Sequence, residues 1–231
     1  MYEKLVTVSQ AGWRLSGLFH EIQEVSGEAA ASWKASGEDL QKIGLMWVVV
    51  RYELNMIREI CPGEELLFKT WALPFRHMMS QRNYQVFDKN GELVLTAAGT
   101  WAVVDRASRK MVEPSAYPVH FETETSEYLI PRPGSPGKTK TEYASLYQVQ
   151  DVDLDMNLHM NNTRYFDLVE NHCVGCFQGK KVRQVRAAFL NEARLGETVQ
   201  LNWGSEDQLL YCSGSKNGTP CFEISLLYDM D

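Results

Sequence analysis

The sequence predicts an α+β protein in which one unit is used twice, each copy an antiparallel sheet wrapped around a long central helix. Three observations carry that prediction. Strand-like runs rich in β-branched and aromatic residues follow a helix-like segment in both halves of the chain. A Lys-Asn-Gly turn recurs at 89–91 and 216–218, an offset of 127 (216 − 89). Glu59, four residues before "GEELLF", parallels Glu192, four residues before "GETVQL", an offset of 133 (192 − 59). Their shared order makes duplication the better account.

The elements follow in order. Residues 13–33 carry Leu15, Leu18, Phe19, Ile22 and Val25 at helical spacing. Strands are expected at 45–54, 65–73, 80–88 and 92–104, the last two joined by the first Lys-Asn-Gly hairpin. Residues 113–139 hold Pro114, Pro118, Pro131, Pro133, Gly134, Pro136 and Gly137, which can continue neither a helix nor a sheet interior. A strand at 142–150 then leads to a helix at 162–177, with Tyr165, Phe166, Val169 and Cys173 on one face. Strands follow at about 183–190, 197–203, 208–213 and 220–228. This is the hotdog arrangement in tandem. The expected boundaries are an N-terminal hotdog at 1–115, a linker at 116–139 and a C-terminal hotdog at 140–231.

Composition excludes several classes. The 231 residues are 44% hydrophobic and 23% charged, enough for a real core and too apolar for disorder. A net charge of −7 argues against a general nucleic-acid binder. No run approaches the roughly eighteen apolar residues of a membrane span. The N-terminus "MYEKLVTVSQ" lacks a secretory pattern or a transit-like extension, so a bacterial cytoplasmic protein is expected. The five scattered cysteines fit a reducing compartment. Cys173 and Cys176 form a CxxC beside His172, but no second pair completes a metal site, so no metal and no cofactor are expected.

The stretch "DVDLDMNLHMNN" at 151–162 concentrates the polar chemistry. A calcium loop starting at Asp151 would need Gly at its sixth position and Glu at its twelfth, where Met156 and Asn162 stand. Zinc finds only one local nitrogen ligand, His159. As a plain edge strand, the polar face would hold three carboxylates with no cation among them. A catalytic segment requires the chain to curl, since Asp155 and His159 would lie about 13 Å apart if fully extended. Curling is natural here, because Asn161 or Asn162 can cap the following helix, whose first N–H groups then face the same space. Such a site suits chemistry that builds negative charge on a carbonyl oxygen.

"DLDMNLHMNNTRYFD" resembles the signature of acyl-acyl-carrier-protein (acyl-ACP) thioesterases of the plant and bacterial oleoyl/palmitoyl type, a D-x-N-x-H motif followed by V/M-N-N before the second hotdog helix. "MWVVVRYELNM" and "GTWAVVDRASRKMVEPS" are similar to first-domain segments of that family. The resemblance implies hydrolysis of fatty acyl-ACP and a single catalytic centre in the second half. Its Asp, Asn and His fall on Asp155, Asn157 and His159. The plant Glu-Cys pair falls on Glu192 and Ala193, so a cysteine nucleophile is missing at that position. The expectation is therefore that Glu192 and His159 deprotonate a water while Asn157 orients water or thioester. Asp155 is expected to hold the loop and tune His159, with a nucleophilic role left open.

By the same analogy the first half lodges the acyl chain, with Trp13, Leu18, Phe19 and Trp47 as candidate lining residues. The acidic carrier protein would dock on Lys180, Lys181, Arg183 and Arg186, with Arg164. Lys180 and Lys181 could equally complement the end of the helix. Two rival readings stay open: an acyl-CoA thioesterase of the same fold, and a non-catalytic module that binds acyl chains. A homodimer is also left open.

Overall fold

The computed structural model describes residues 1–113, 123 and 130–229. Most of the expected linker, 116–139, lies outside them. Contacts divide the chain into two units, Met1–Gly12 with His20–Pro133, and Trp13–Phe19 with Gly134–Asp231.

The first unit holds β1 (Tyr2–Thr7), most of α1 (Leu15–Ala31), α2 (Gly37–Lys42), β2 (Leu45–Met56), β3 (Glu65–Ala72), β4 (Met79–Asp88) and β5 (Leu93–Asp105). Its strands lie in the order β1-β3-β4-β5-β2, all antiparallel. The second unit holds β6 (Tyr143–Gln148), α3 (Asn162–His172), α4 (Val174–Phe177), β7 (Val182–Phe189), β8 (Thr198–Glu206), β9 (Leu209–Lys216) and β10 (Thr219–Tyr228). Their order is β6-β8-β9-β10-β7. The two orders are the same once β6–β10 are matched to β1–β5. In both units a helix lies on one face of the sheet, which is the tandem hotdog the repeat predicts.

The duplication extends to individual hydrogen bonds. Glu64 accepts the Cys61 N–H at 3.0 Å and Glu197 accepts the Arg194 N–H at 2.7 Å. Gly63 donates to Val8 O at 3.1 Å, and Gly196 to Val149 O at 3.0 Å. Both glycines sit at positive φ, 74° and 77°, where a side chain would be strained.

The helices bury the faces their spacing marks. Leu18, Ile22, Val25 and Ala29 of α1 are buried, and the Ser26 hydroxyl reaches Tyr84 of β4 at 2.7 Å. In α3, Tyr165 stacks on Phe222 of β10 with centroids 4.5 Å apart, and Phe166 meets Phe189 of β7 edge-on at 6.3 Å. Each such side chain contributes about 2–3 kcal/mol through apolar burial.

Three expectations need correction. The helix expected over 162–177 breaks at Cys173, whose φ of −102° and ψ of 8° end α3 before the short α4. The edge strand β1 was missed, because Glu3 and Lys4 interrupt its apolar signal. So was α2, a six-residue helix fixed by a capping box between Ser36 and Asp39.

Candidate active site

The 151–162 stretch is a folded loop rather than a strand. One 3-10 turn occupies Asp151–Asp153, and Leu154 and Met160 form an isolated antiparallel bridge that closes the loop. Asp155 is its hub. Its N–H donates to His159 O at 2.8 Å, and its O accepts the Leu158 N–H at 3.0 Å. Its carboxylate accepts the Asn157 N–H at 2.7 Å and the His159 N–H at 3.3 Å, with the Asn157 amide group 3.4 Å away. Leu158 takes φ of 62°, a left-handed conformation that costs a leucine about 1–2 kcal/mol. Asp155 thus organises the backbone of the loop, as expected, and its carboxylate oxygens are engaged with loop groups.

One bond closes this loop on itself and a second fastens it to the unit. The Asn161 N–H donates to Asp153 O at 2.8 Å, and the Met160 N–H donates to Ala193 O at 2.8 Å. The second bond carries the site, because the residues preceding that pair are His159 and Glu192. His159 Nε2 lies 2.9 Å from Glu192 Oε2. The imidazole side chain is 9% exposed and the carboxylate 36%, so the His is shielded while the Glu reaches solvent. Arg194 Nη2 stands 3.8 Å from the same carboxylate oxygen. Ala193 is fully buried.

The helix cap narrows the donors that the loop presents. Asn161 Oδ1 accepts the Thr163 N–H and the Thr163 hydroxyl, both at 3.0 Å, and Asn161 O accepts the Arg164 N–H at 2.9 Å. The Asn162 N–H has no hydrogen-bond partner among the described residues, so it is the donor left at the start of α3.

Sequence reasoning missed the support beneath the loop. Asp153 is 5% exposed and accepts the Tyr147 hydroxyl at 2.7 Å and the Gln150 N–H at 2.8 Å. Burial first, and the Asp153 bond next, push Tyr147 up to about 12. The first Asp of the D-x-D and an inward Tyr one strand earlier were the available signal.

The other expected residues are not gathered around a first-unit pocket. Trp13, Leu18 and Phe19 group with the second unit. Phe19 stacks on Phe166 with centroids 3.9 Å apart and planes 3° from parallel, and Leu18 is 3% exposed. The cause is Glu170 of α3. Its carboxylate accepts the Leu15 N–H at 2.8 Å and lies 3.3 Å from Arg14 Nε, which ties the first turn of α1 to α3. Burial raises the Glu170 carboxyl above its ordinary value. Trp47 lies apart from them in β2, its indole N–H donating to Ala35 O at 2.8 Å.

The expected docking cations are already engaged. Arg164 binds Asp167 at 3.1 Å and Val152 O at 3.0 Å, and Arg183 binds Asp229 at 2.7 Å. Lys180 donates to Cys176 O at 3.0 Å, which is the helix-end role weighed against docking, and lies over the Tyr228 ring. Lys181 and Arg186 also have interactions of their own.

Comparison with known proteins agrees with the fold. Residues 9–115 match the acyl-ACP thioesterase N-terminal domain, and residues 137–218 match the acyl-ACP thioesterase C-terminal domain. The chloroplastic palmitoyl-acyl carrier protein thioesterase of Arabidopsis thaliana is 22% identical over 181 residues, 71% of this chain and 42% of that protein. The chain therefore spans less than half the length of that relative. An acyl-ACP thioesterase structure from Bacteroides thetaiotaomicron superposes with a TM-score of 0.82 at 18% identity, covering 98% of this chain and 97% of that one. The oleoyl thioesterase (putative) of Lactobacillus plantarum gives 0.82 at 21% identity, covering 99% and 96%. With both domains matched in order across most of its length, the chain belongs to the acyl-ACP thioesterase family.

Proposed function

We propose that this chain hydrolyses the thioester of a fatty acyl group carried on acyl carrier protein, releasing free fatty acid and ending chain elongation. The observation that carries the reading is the 2.9 Å contact between His159 Nε2 and Glu192 Oε2 beside the capped start of α3. Glu192 holds the imidazole and stabilises the cation that forms on it, and His159 takes a proton from water as that water attacks the carbonyl. The tetrahedral oxyanion is received by the Asn162 N–H and the Asn157 amide. The intermediate then collapses, the C–S bond breaks, and the thiolate recovers the proton from His159. Asp155 acts by holding Asn157 and His159 in register, and the chemistry needs no thiol, metal or cofactor.

In this reading the acidic carrier approaches Arg164, Lys180, Lys181, Arg183 and Arg186, where it must compete with the internal partners of those groups. The five unpaired cysteines support a reducing, bacterial cytoplasmic setting. No helix among the described residues is long and apolar enough to cross a membrane.

The deciding experiment is a fatty-acid release assay over a ladder of acyl-ACPs, run beside matched acyl-CoAs. Chain-length-dependent release from acyl-ACP with weak turnover of acyl-CoA is expected. Faster turnover of acyl-CoA moves the carrier assignment, and tight acyl binding without release leaves only the binding-module reading.

A further inference from the structure

We propose that Arg82 forms the floor of a carboxylate-binding site inside the first unit, a role separate from the hydrolytic centre. The starting point is a buried guanidinium that has no counter-charge among the described residues. Arg82 of β4 is 7% exposed, and among the described residues its only hydrogen bond runs from Nη1 to Thr70 Oγ1 at 3.4 Å. Its other contact is the Trp33 ring, 5.0 Å from Cζ to the centroid. No Asp or Glu of the described residues pairs with it. An arginine does not lose its proton in a protein, so the charge stays, and an uncompensated buried charge is costly.

The neighbouring hydroxyls cannot supply the missing charge. Thr70 donates its proton to Asn83 O at 2.9 Å. Ser26 donates to Ile22 O at 2.6 Å, so the proton in its 2.7 Å bond with Tyr84 comes from the phenol. A second donor faces the same ground. Gly99, the β5 partner of Arg82, is closely packed, since a Cβ there would meet the Tyr52 ring at 2.6 Å and Trp101 Nε1 at 2.7 Å. The buried Trp101 N–H stands near the Tyr84 phenol but short of hydrogen-bond geometry. Among the described residues the region is therefore rich in donors and lacks an anion.

Space adjoins it. A pocket of about 100 Å³ is lined by Met1, Tyr2, Ser32, Trp33, Thr70, Trp71 and Ala72. Arg82 backs three of these walls: the Trp33 ring, the Thr70 hydroxyl, and Ala72 across the strand pair. A guanidinium stacked on an indole presents its edge to a planar acceptor, and a carboxylate matches that edge with two oxygens. The volume suits one such group. The carboxylate could be the far end of an acyl chain that carries a second acid, or the head of a free fatty acid. The chemistry is shared, and experiment separates the sources.

The test compares wild type with Arg82→Met and Arg82→Lys. Calorimetry with dodecanoate against dodecanol reads a free acid, and kcat/KM on dodecanoyl against ω-carboxydodecanoyl pantetheine thioester reads a chain end. Wild type is expected to favour the carboxylate at least about tenfold in one of the two arms, the ratio of a single charge-assisted hydrogen bond. Arg82→Met should remove that preference, and Arg82→Lys should keep part of it. Equal behaviour of acid and neutral probes in both arms on wild type overturns the site, as does an undiminished preference in a folded Arg82→Met. Removing an unpaired buried charge is not expected to impair folding. Should the variant fail to fold, the wild-type comparison alone decides. If neither thioester is hydrolysed, the function proposed above falls, while the calorimetric arm still decides the carboxylate site.

Discussion

Replacing Glu192 tests the proposed mechanism most directly. His159 Nε2 and Glu192 Oε2 are 2.9 Å apart, which places the charge centres roughly 4 Å apart once the imidazole is protonated. At an effective dielectric of about 20 that pair is worth about 4 kcal/mol. Glu192 is 36% exposed and Arg194 lies 3.8 Å from the same oxygen, so water and a competing cation reduce the figure to about 2 kcal/mol. Glu192→Gln keeps the size and an acceptor oxygen but removes the charge, and kcat should fall by about 30-fold. Glu192→Ala also releases the ring, so a loss on the order of 10²–10⁴ is expected, and the same for His159→Ala. The double variant should be little worse than the poorer single one, because Glu192 acts through His159. The assay is kcat on a matched acyl-ACP, with thermal unfolding to confirm that each variant is folded. A folded Glu192→Ala within about threefold of wild type would falsify the reasoning. A double variant that loses the product of the two single effects refutes the action of Glu192 through His159.

Further outcomes are expected at neighbouring positions. Thiol alkylation should modify exposed Cys61 and change kcat by less than about twofold. The Cys212 bond and burial hold the Cys173 thiol well above its ordinary value, and burial raises that of Cys176. A large loss of activity traced to Cys176 on a folded protein speaks against water attack. Asn161→Ala removes the α3 cap and should lower unfolding stability by about 1 kcal/mol, with a larger drop in kcat because Asn162 is then misplaced. Unchanged kcat with lowered stability separates the cap from the oxyanion site. The Lys216 bond first, and then the Arg194 N–H, hold the Glu197 carboxyl below its ordinary value of 4.5. Its contribution is present above that value and is lost as pH falls through the lower, folded one. Glu197→Gln should therefore flatten the acid side of a urea-midpoint profile, and an unaltered acid limb removes the bond from that role.

The sequence by itself determined the repeated unit, because its signals are local. Runs of β-branched and aromatic residues, helical spacing from Leu15 to Val25 and the Asn-Gly turns act over a few residues, and the structure places a strand or helix on the segments they mark. The local part of the site was legible for the same reason: Asp155, Asn157, His159 and the Asn161 cap share one loop.

Tertiary structure decided what depends on distant partners. From Val8 to α1 the chain spends residues 9–14, and from the matching Val149 to α3 it spends 150–161, so the second unit has twice the length in which to curl. That curl becomes a site only through the Met160–Ala193 bond, which sets His159 beside Glu192. Glu170 bonds the start of α1 to α3, so Trp13, Leu18 and Phe19 lie apart from Trp47, with which the family analogy had grouped them. Arg82 lies in a strand expected from the sequence, and burial along β4 leaves its charge without a carboxylate among the described residues. Periodicity reports which face of an element is apolar, whereas charge pairing and hydrogen bonding depend on what the rest of the chain brings to that face.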